Sequence, residues 1–166
     1  MSLTATENAA FLKKITDFLE QLGIPFKQTS IGFETFLPGV GIQDGVLHID
    51  ADKLIHPGDV LHEAGHYAVT PPENRPELGQ HTFQHNPELG GEEMAAMLWS
   101  YAVCQRLEVK PEMVFHEMGY KGQSQWILQQ YAEKSFFGLP LLQYYGMAHF
   151  DGEGPEFPEM KRWLRP

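Results

Sequence analysis

Apolar residues near the start of the chain recur at helical spacing. The stripe consists of Phe11, Leu12, Ile15, Phe18, Leu19 and Leu22. Such a period places one apolar face along a helix, and a following glycine is a typical stop. We therefore predict an amphipathic helix over residues 7–22 that ends at Gly23 and packs its stripe into a core.

The pattern changes to short apolar runs separated by turn residues. We predict strands over residues 24–29, 33–37 and 45–50, because Pro38-Gly39 and Asp44-Gly45 are strong breaks between them. From about residue 57 the pattern becomes helical again. Beyond the first helix of that half, the predicted helices cover residues 92–107, 111–118 and 122–137, the last ending at Gly138. The segment 151–166 is rich in proline and glycine, and we expect it to wrap the surface.

The helical half opens with His62-Glu63-Ala64-Gly65-His66, the pattern His-Glu-x-x-His. On a helix, side chains four positions apart share a face, so both imidazoles can bind one Zn²⁺ ion. The intervening glutamate, Glu63, is placed to take a proton from a water molecule and is the predicted catalytic residue. Pro57 before the motif and Pro71-Pro72 after it are start and stop signals for this helix.

A catalytic zinc site needs a third protein ligand. The metzincin spacing would require Gly at 69 and His at 72, and the chain has Val69 and Pro72. The next candidates, Glu92 and Glu93, open the predicted helix 92–107. Glu93 shares a helical stripe with small or apolar residues, so we favour His62, His66 and Glu93 as the metal ligands. Glu92 stays open as an alternative. His81 and His85, four residues apart in the long connection before this helix, are less favoured candidates.

The motif, followed by an alanine-rich helix that begins with glutamate, resembles the gluzincin metallopeptidases. The likeness is closest to the small bacterial ImmA/IrrE-like family and covers about residues 24–104. It implies a zincin-like fold, Zn²⁺ as cofactor and a peptide or protein substrate. One feature departs from the family pattern, in which Glu-x-x-Ala is followed by Asn or Asp. Here Ala95 or Ala96 is followed by Ala96 or Met97, so support for the ligands must come from elsewhere.

Two functions compete at this point. The first is a zinc metallopeptidase that hydrolyses an amide bond, with Glu63 activating the attacking water. The second is a non-enzymatic zinc-binding or peptide-binding regulatory protein on the same scaffold. The intact Glu63 favours the first, because metal binding alone does not require it. A hydrolase also needs a group that stabilises the oxyanion. The sequence does not rank the candidates, which are His116, Tyr120, Tyr144, Tyr145 and His149.

Composition and charge indicate the number of domains, the fold class and the partners that are excluded. The 166 residues, 42% hydrophobic and 12% aromatic, predict one globular domain over residues 1–166. We expect an α+β fold, zincin-like, with a short β-meander or small sheet packed on helices and a helix-rich C-terminal half. The net charge of −10 argues against nucleic acid and against anionic membrane surfaces as partners.

The cysteine content and the absence of targeting signals bear on the compartment. Cys104 is the only cysteine, which favours a reducing compartment. No signal peptide is apparent, and no apolar run reaches the length of about 18 residues that a membrane span needs. We therefore expect a cytoplasmic protein.

Overall fold

The computed structural model describes residues 3–79 and 90–166. In these ranges, five α-helices surround one small sheet. The helices are α1 (Ala5–Leu22), α2 (Asp59–Val69), α3 (Gly90–Leu107), α4 (Ser124–Ala132) and α5 (Leu139–Tyr144). The strands are β1 (Phe26–Gln28), β2 (Val40–Gln43) and β3 (Val46–Ile49). Single 3₁₀ segments cover Pro72–Glu77, Pro111–Met113 and Tyr120–Gly122. The α+β class is thus confirmed.

The sheet has the order β1-β3-β2, so β3 is the central strand. β1 runs parallel to β3, while β2 and β3 form an antiparallel hairpin. The two hairpin turn residues, Asp44 and Gly45, both have positive φ (51° and 73°), as a two-residue hairpin turn requires. A small mixed sheet is therefore present. This sheet is not a meander, because in a meander each strand pairs antiparallel with the next strand along the chain, and here β1 pairs in parallel with β3.

The prediction of a strand over residues 33–37 is wrong. Only Leu37 pairs there, in an isolated bridge with Val40 across the turn at Pro38-Gly39. The second strand lies instead at Val40–Gln43, directly before the predicted break. Its first three residues are buried, with Gly41 between Val40 and Ile42. The glycine interrupts the apolar run, which is why the pattern did not indicate a strand there.

The helix predictions are confirmed at α1, at the motif helix α2 and at α3, and only in part over residues 111–138. After Pro111–Met113 the chain leaves the helical conformation, and both Tyr120 and Lys121 have positive φ. The predicted helix 122–137 is shorter, Ser124–Ala132, and Lys134 has a φ of 61° just beyond its end. α5 was not predicted, because six residues carry too little periodicity to recognise.

Helices α2 and α3 lie against each other at unusually close range. A Cβ atom at Gly65 of α2 would lie 2.7 Å from the carbonyl oxygen of Ala96 in α3. The surrounding side chains are small or apolar and fully buried. They are Leu61, Ala64 and Ala68 of α2 with Ala95, Leu98 and Trp99 of α3. As predicted, the small-residue face of the motif helix is packed in the core, which leaves its histidine face toward the start of α3.

The C-terminal segment packs across three helices without forming a helix or strand of its own. Trp99 of α3 donates a hydrogen bond from Nε1 to the carbonyl of Trp163 (2.8 Å), and the Trp163 ring meets Phe18 of α1 edge-on. The amide of Arg165 donates to the carbonyl of Ala68 near the end of α2 (2.9 Å). The segment therefore ties α1, α2 and α3 together.

No helix within residues 3–79 and 90–166 combines the length and the apolar character needed to cross a membrane.

The contact at Gly65 gives a direct test of this packing. We expect Gly65→Ala to lower the free energy of unfolding by about 1–3 kcal/mol, because the new methyl group meets backbone that cannot move without separating the helices. Gly32→Ala is the matched control, since a Cβ there meets no atom within 4 Å. It should change stability by less than about 0.5 kcal/mol. Urea denaturation measures both, and equal stabilities would contradict the close packing.

Candidate metal centre

The two histidines of the motif stand one helical turn apart on α2 and face the same way. Their rings meet edge to face, with centroids 4.9 Å apart and planes at 82°. His66 is buried and the His62 side chain is 14% exposed. The helix geometry that the spacing predicted is thus present.

Glu93, in the first turn of α3, joins the two imidazoles. Its Oε2 lies 2.8 Å from Nε2 of His66, and its Oε1 lies 3.5 Å from Nε2 of His62. The three potential ligand atoms all fall within 4.8 Å of one another, the only such group of three or more His, Cys, Asp or Glu residues in the described part of the chain. The three residues that the sequence favoured as ligands therefore come together.

Glu92 points to a different partner. Its Oε1 lies 3.7 Å from a guanidinium nitrogen of Arg165. The same guanidinium donates to the carbonyl of Val69 (3.1 Å) and stacks on the ring of Tyr145 at 3.8 Å. Successive residues on a helix differ by 100° in direction. In the structure the carboxylate of Glu93 contacts both histidines, while Glu92 acts on His66 only through its charge, as a smaller contribution to raising the pKa of His66.

Burial and charge set the protonation of the three groups. Burial, together with the neighbouring His66, lowers the pKa of His62 to about 4, so its imidazole is neutral at pH 7. Burial is the largest influence on His66 and would lower its pKa, but the hydrogen bond to Glu93 and the charges of Glu93, Glu63 and Glu92 together raise that pKa. Burial is also the largest influence on Glu93 and would raise its pKa, but the hydrogen bond to His66 and the charges of both histidines together lower it. A metal ion would thus find a neutral ligand and an ionised carboxylate, and would compete with a proton on His66.

Glu63 is only 8% exposed and lies beside this group. Its negative charge contributes to raising the pKa of both His66 and Tyr120. Glu63 follows His62 directly on α2 and is not part of the three-residue cluster.

Of the five residues named as candidates for oxyanion stabilisation, Tyr120 contacts the cluster, at the His62 nitrogen that faces away from Glu93. Its hydroxyl lies 2.8 Å from Nδ1 of His62, and its ring packs against that imidazole. Burial, and then the charge of Glu93, raises the pKa of Tyr120 well above its usual value, so its hydroxyl remains protonated. The sequence could not single it out from the other four candidates.

The remaining candidates have other surroundings. His116 bonds through Nε2 to Oδ1 of Asp59 (2.8 Å), and Tyr144 is 78% exposed. Tyr145 lies under Arg165, and His149 lies against Gly154. His81 and His85 fall outside the described residues.

Arg165 and Asp59 also shape the site and were missed by the sequence analysis. Both act on residues far away in the chain, and neither belongs to the motif.

A scan of protein-family profiles and searches of curated proteins and solved structures found no match to this chain.

The two glutamates give the sharpest test of the ligand set. We expect Glu93→Ala to weaken zinc binding by more than about 100-fold, beyond the usual cost of losing an outer-shell partner. Glu92→Ala is the matched control on the same helical turn. It should lower the free energy of unfolding by only about 0.3–1 kcal/mol, the size of a helix-dipole or surface contribution, and should keep its zinc. Competition with a chromophoric chelator measures both affinities. Loss of zinc in Glu92→Ala would reverse the assignment, and loss in neither variant would place the third ligand elsewhere.

Proposed function

We propose that this protein is a zinc-dependent metallopeptidase in which His62, His66 and Glu93 hold the ion and Glu63 is the general base. The observation that carries the proposal is the meeting of these three side chains from two helices with Glu63 buried next to them. The proposed substrate is an amide bond in a peptide or protein, as the resemblance to gluzincins suggests.

The residues present fit a catalytic zinc ion. Two imidazoles and one carboxylate form a donor set found in zinc peptidases, with a fourth position left for water or substrate. Ligands about 2.1 Å from a tetrahedral ion lie about 3.4 Å apart. The separation from Oε1 of Glu93 to Nε2 of His62, 3.5 Å, is close to that value, while the 2.8 Å from Oε2 to Nε2 of His66 is a hydrogen-bonding distance that would lengthen when both atoms bind the ion. The fit supports zinc more than Mg²⁺ or Ca²⁺, which prefer all-oxygen sites.

When bound, zinc would supply a Lewis acid that polarises the scissile carbonyl and lowers the pKa of water. Glu63 takes a proton as the water oxygen attacks the carbonyl carbon. It then passes this proton to the amine nitrogen as the carbon–nitrogen bond breaks.

A non-enzymatic zinc-binding or peptide-binding protein is the alternative. The residue after Ala96 favours it, because Met97 is a buried apolar side chain where the family pattern has Asn or Asp. Glu63 favours the enzyme. Burying a carboxylate has a free-energy cost, and holding the metal with three other side chains does not require it.

The proposed compartment is the cytoplasm. Burial raises the pKa of the single cysteine, Cys104, to about 12, so its thiol is unreactive. A buried structural thiol of this kind needs no oxidising environment.

Glu63→Gln tests the mechanism. We expect this variant to keep its fold and its zinc, because the base is not a ligand, and to lose about 10²–10⁴-fold in hydrolytic rate. The substrate is first found by incubating zinc-loaded wild-type protein with a mixed peptide library and identifying the products by mass spectrometry. Glu77→Gln, at an exposed glutamate, is the control for charge alone.

Three results would count against this mechanism. Zinc loss in Glu63→Gln would make Glu63 a structural residue. An unchanged hydrolytic rate would remove it from the reaction. Failure of the wild-type protein to cleave any library peptide while binding zinc would favour the regulatory alternative.

A further inference from the structure

The edge of the His62 ring that points away from Glu93 has a hydrogen-bonding partner of its own. Nε2 of this imidazole faces Glu93, while Nδ1 lies 2.8 Å from the hydroxyl of Tyr120. The two nitrogens of one ring therefore have different neighbours, one at the cluster and one behind it. A metal-binding histidine usually needs such a partner, which fixes its tautomer and ring orientation.

The backbone at Tyr120 has a conformation that residues other than glycine rarely adopt. Tyr120 and Lys121 both have positive φ (54° and 55°) in a short 3₁₀ turn. This conformation is unfavourable for a residue other than glycine and persists only where the surrounding structure imposes it. The turn therefore has to be held by contacts outside it.

Those contacts lead back to the motif helix. Nε2 of His116 bonds to Oδ1 of Asp59 in the first turn of α2 (2.8 Å), and the hydroxyl of Ser124 donates to the carbonyl of His116 (2.7 Å). A Cβ at Gly58 would lie 1.9 Å from the carbonyl oxygen of Met113, so the segment passes directly over the start of α2. The turn that carries Tyr120 is thus anchored one helical turn before His62.

The ring of Tyr120 is supported as well. It stacks on Phe115, with centroids 5.1 Å apart and planes at 26°, and Phe115 is buried. It also meets the His62 ring at 71° with a centroid distance of 5.5 Å. The ring therefore has little freedom to move, and its packing holds the hydroxyl next to Nδ1.

We propose that Tyr120 is the positioning residue of His62. Its hydroxyl oxygen accepts a hydrogen bond from Nδ1–H, and this leaves the lone pair on Nε2, on the side of Glu93, where the ion would bind. This inference rests on the proposed function, because it assumes that Nε2 binds the metal. A neutral imidazole that coordinates through Nε2 must carry its proton on Nδ1, and a phenol oxygen can accept it. Tyr120 thereby supplies outer support that the Asn or Asp after the helix alanine would give in the family pattern.

Tyr120→Phe removes the hydroxyl and keeps the stacked ring. We expect it to weaken zinc binding by about 10–100-fold, the usual effect of losing an outer-shell partner. Tyr131→Phe is the matched control: Tyr131 is buried against Phe115, and its hydroxyl has no hydrogen-bond partner within the described ranges. That variant should bind zinc within about twofold of wild type. Combining Tyr120→Phe with His62→Ala should add little to the effect of His62→Ala, because the hydroxyl acts through that imidazole.

A second measurement needs no variant. Nitrogen-15 NMR of zinc-loaded wild-type protein should show His62 protonated at Nδ1, with that proton protected from exchange with water. Protonation at Nε2 would overturn the inference, as would equal zinc affinity of Tyr120→Phe and wild type. An equal loss of affinity in Tyr131→Phe would also overturn it, by showing a general effect of packing. If wild-type protein binds no zinc, the proposed function fails, and this inference fails with it. If zinc binds but Tyr120→Phe has no effect, only the inference fails.

Discussion

The close approach of helices α2 and α3 is the constraint on which the candidate site depends. At Gly65 the two backbones come so near that a methyl group would meet the carbonyl of Ala96. Ala96 lies one turn after Glu93, so this contact brings the start of α3 against the histidine face of α2. A wider separation, such as larger side chains impose, would move the carboxylate away from both imidazoles. The small residue inside the motif therefore has a structural role in addition to the chemistry of its neighbours.

Ionic contacts then select which glutamate turns toward the histidines. Arg165 contacts Glu92 and the carbonyl at the end of α2 at the same time, so Glu92 is directed toward the C-terminal segment. Glu93, one residue later, pairs with His66. This pair offsets part of the cost of burying a charged imidazole and a carboxylate. The groups that pair with one another in the structure are also those that would hold the ion.

Patterns among residues close together in the sequence predicted more of the candidate metal site than of the sheet. The motif helix, α1 and the preference for Glu93 follow from helical period and phase, which depend only on neighbours in the chain. A strand was predicted at 33–37 and the one at Val40–Gln43 was missed, because Gly41 breaks its apolar run. In the predicted helix 111–118 only Pro111–Met113 forms a 3₁₀ turn. The parallel pairing of β1 with β3 and the hydroxyl of Tyr120 at His62 are long-range contacts. No spacing in the sequence indicates them, so Tyr120 could be named as a candidate and not ranked.

The measurement that tests this account most directly is anomalous diffraction at the zinc edge from crystals of the zinc-loaded protein. The account expects one zinc ion per chain, bound by Nε2 of His62, Nε2 of His66 and a carboxylate oxygen of Glu93, with distances of about 2.0–2.2 Å and a water in the fourth position. A zinc peak at other residues, or no peak between α2 and α3 at saturating zinc, would contradict it.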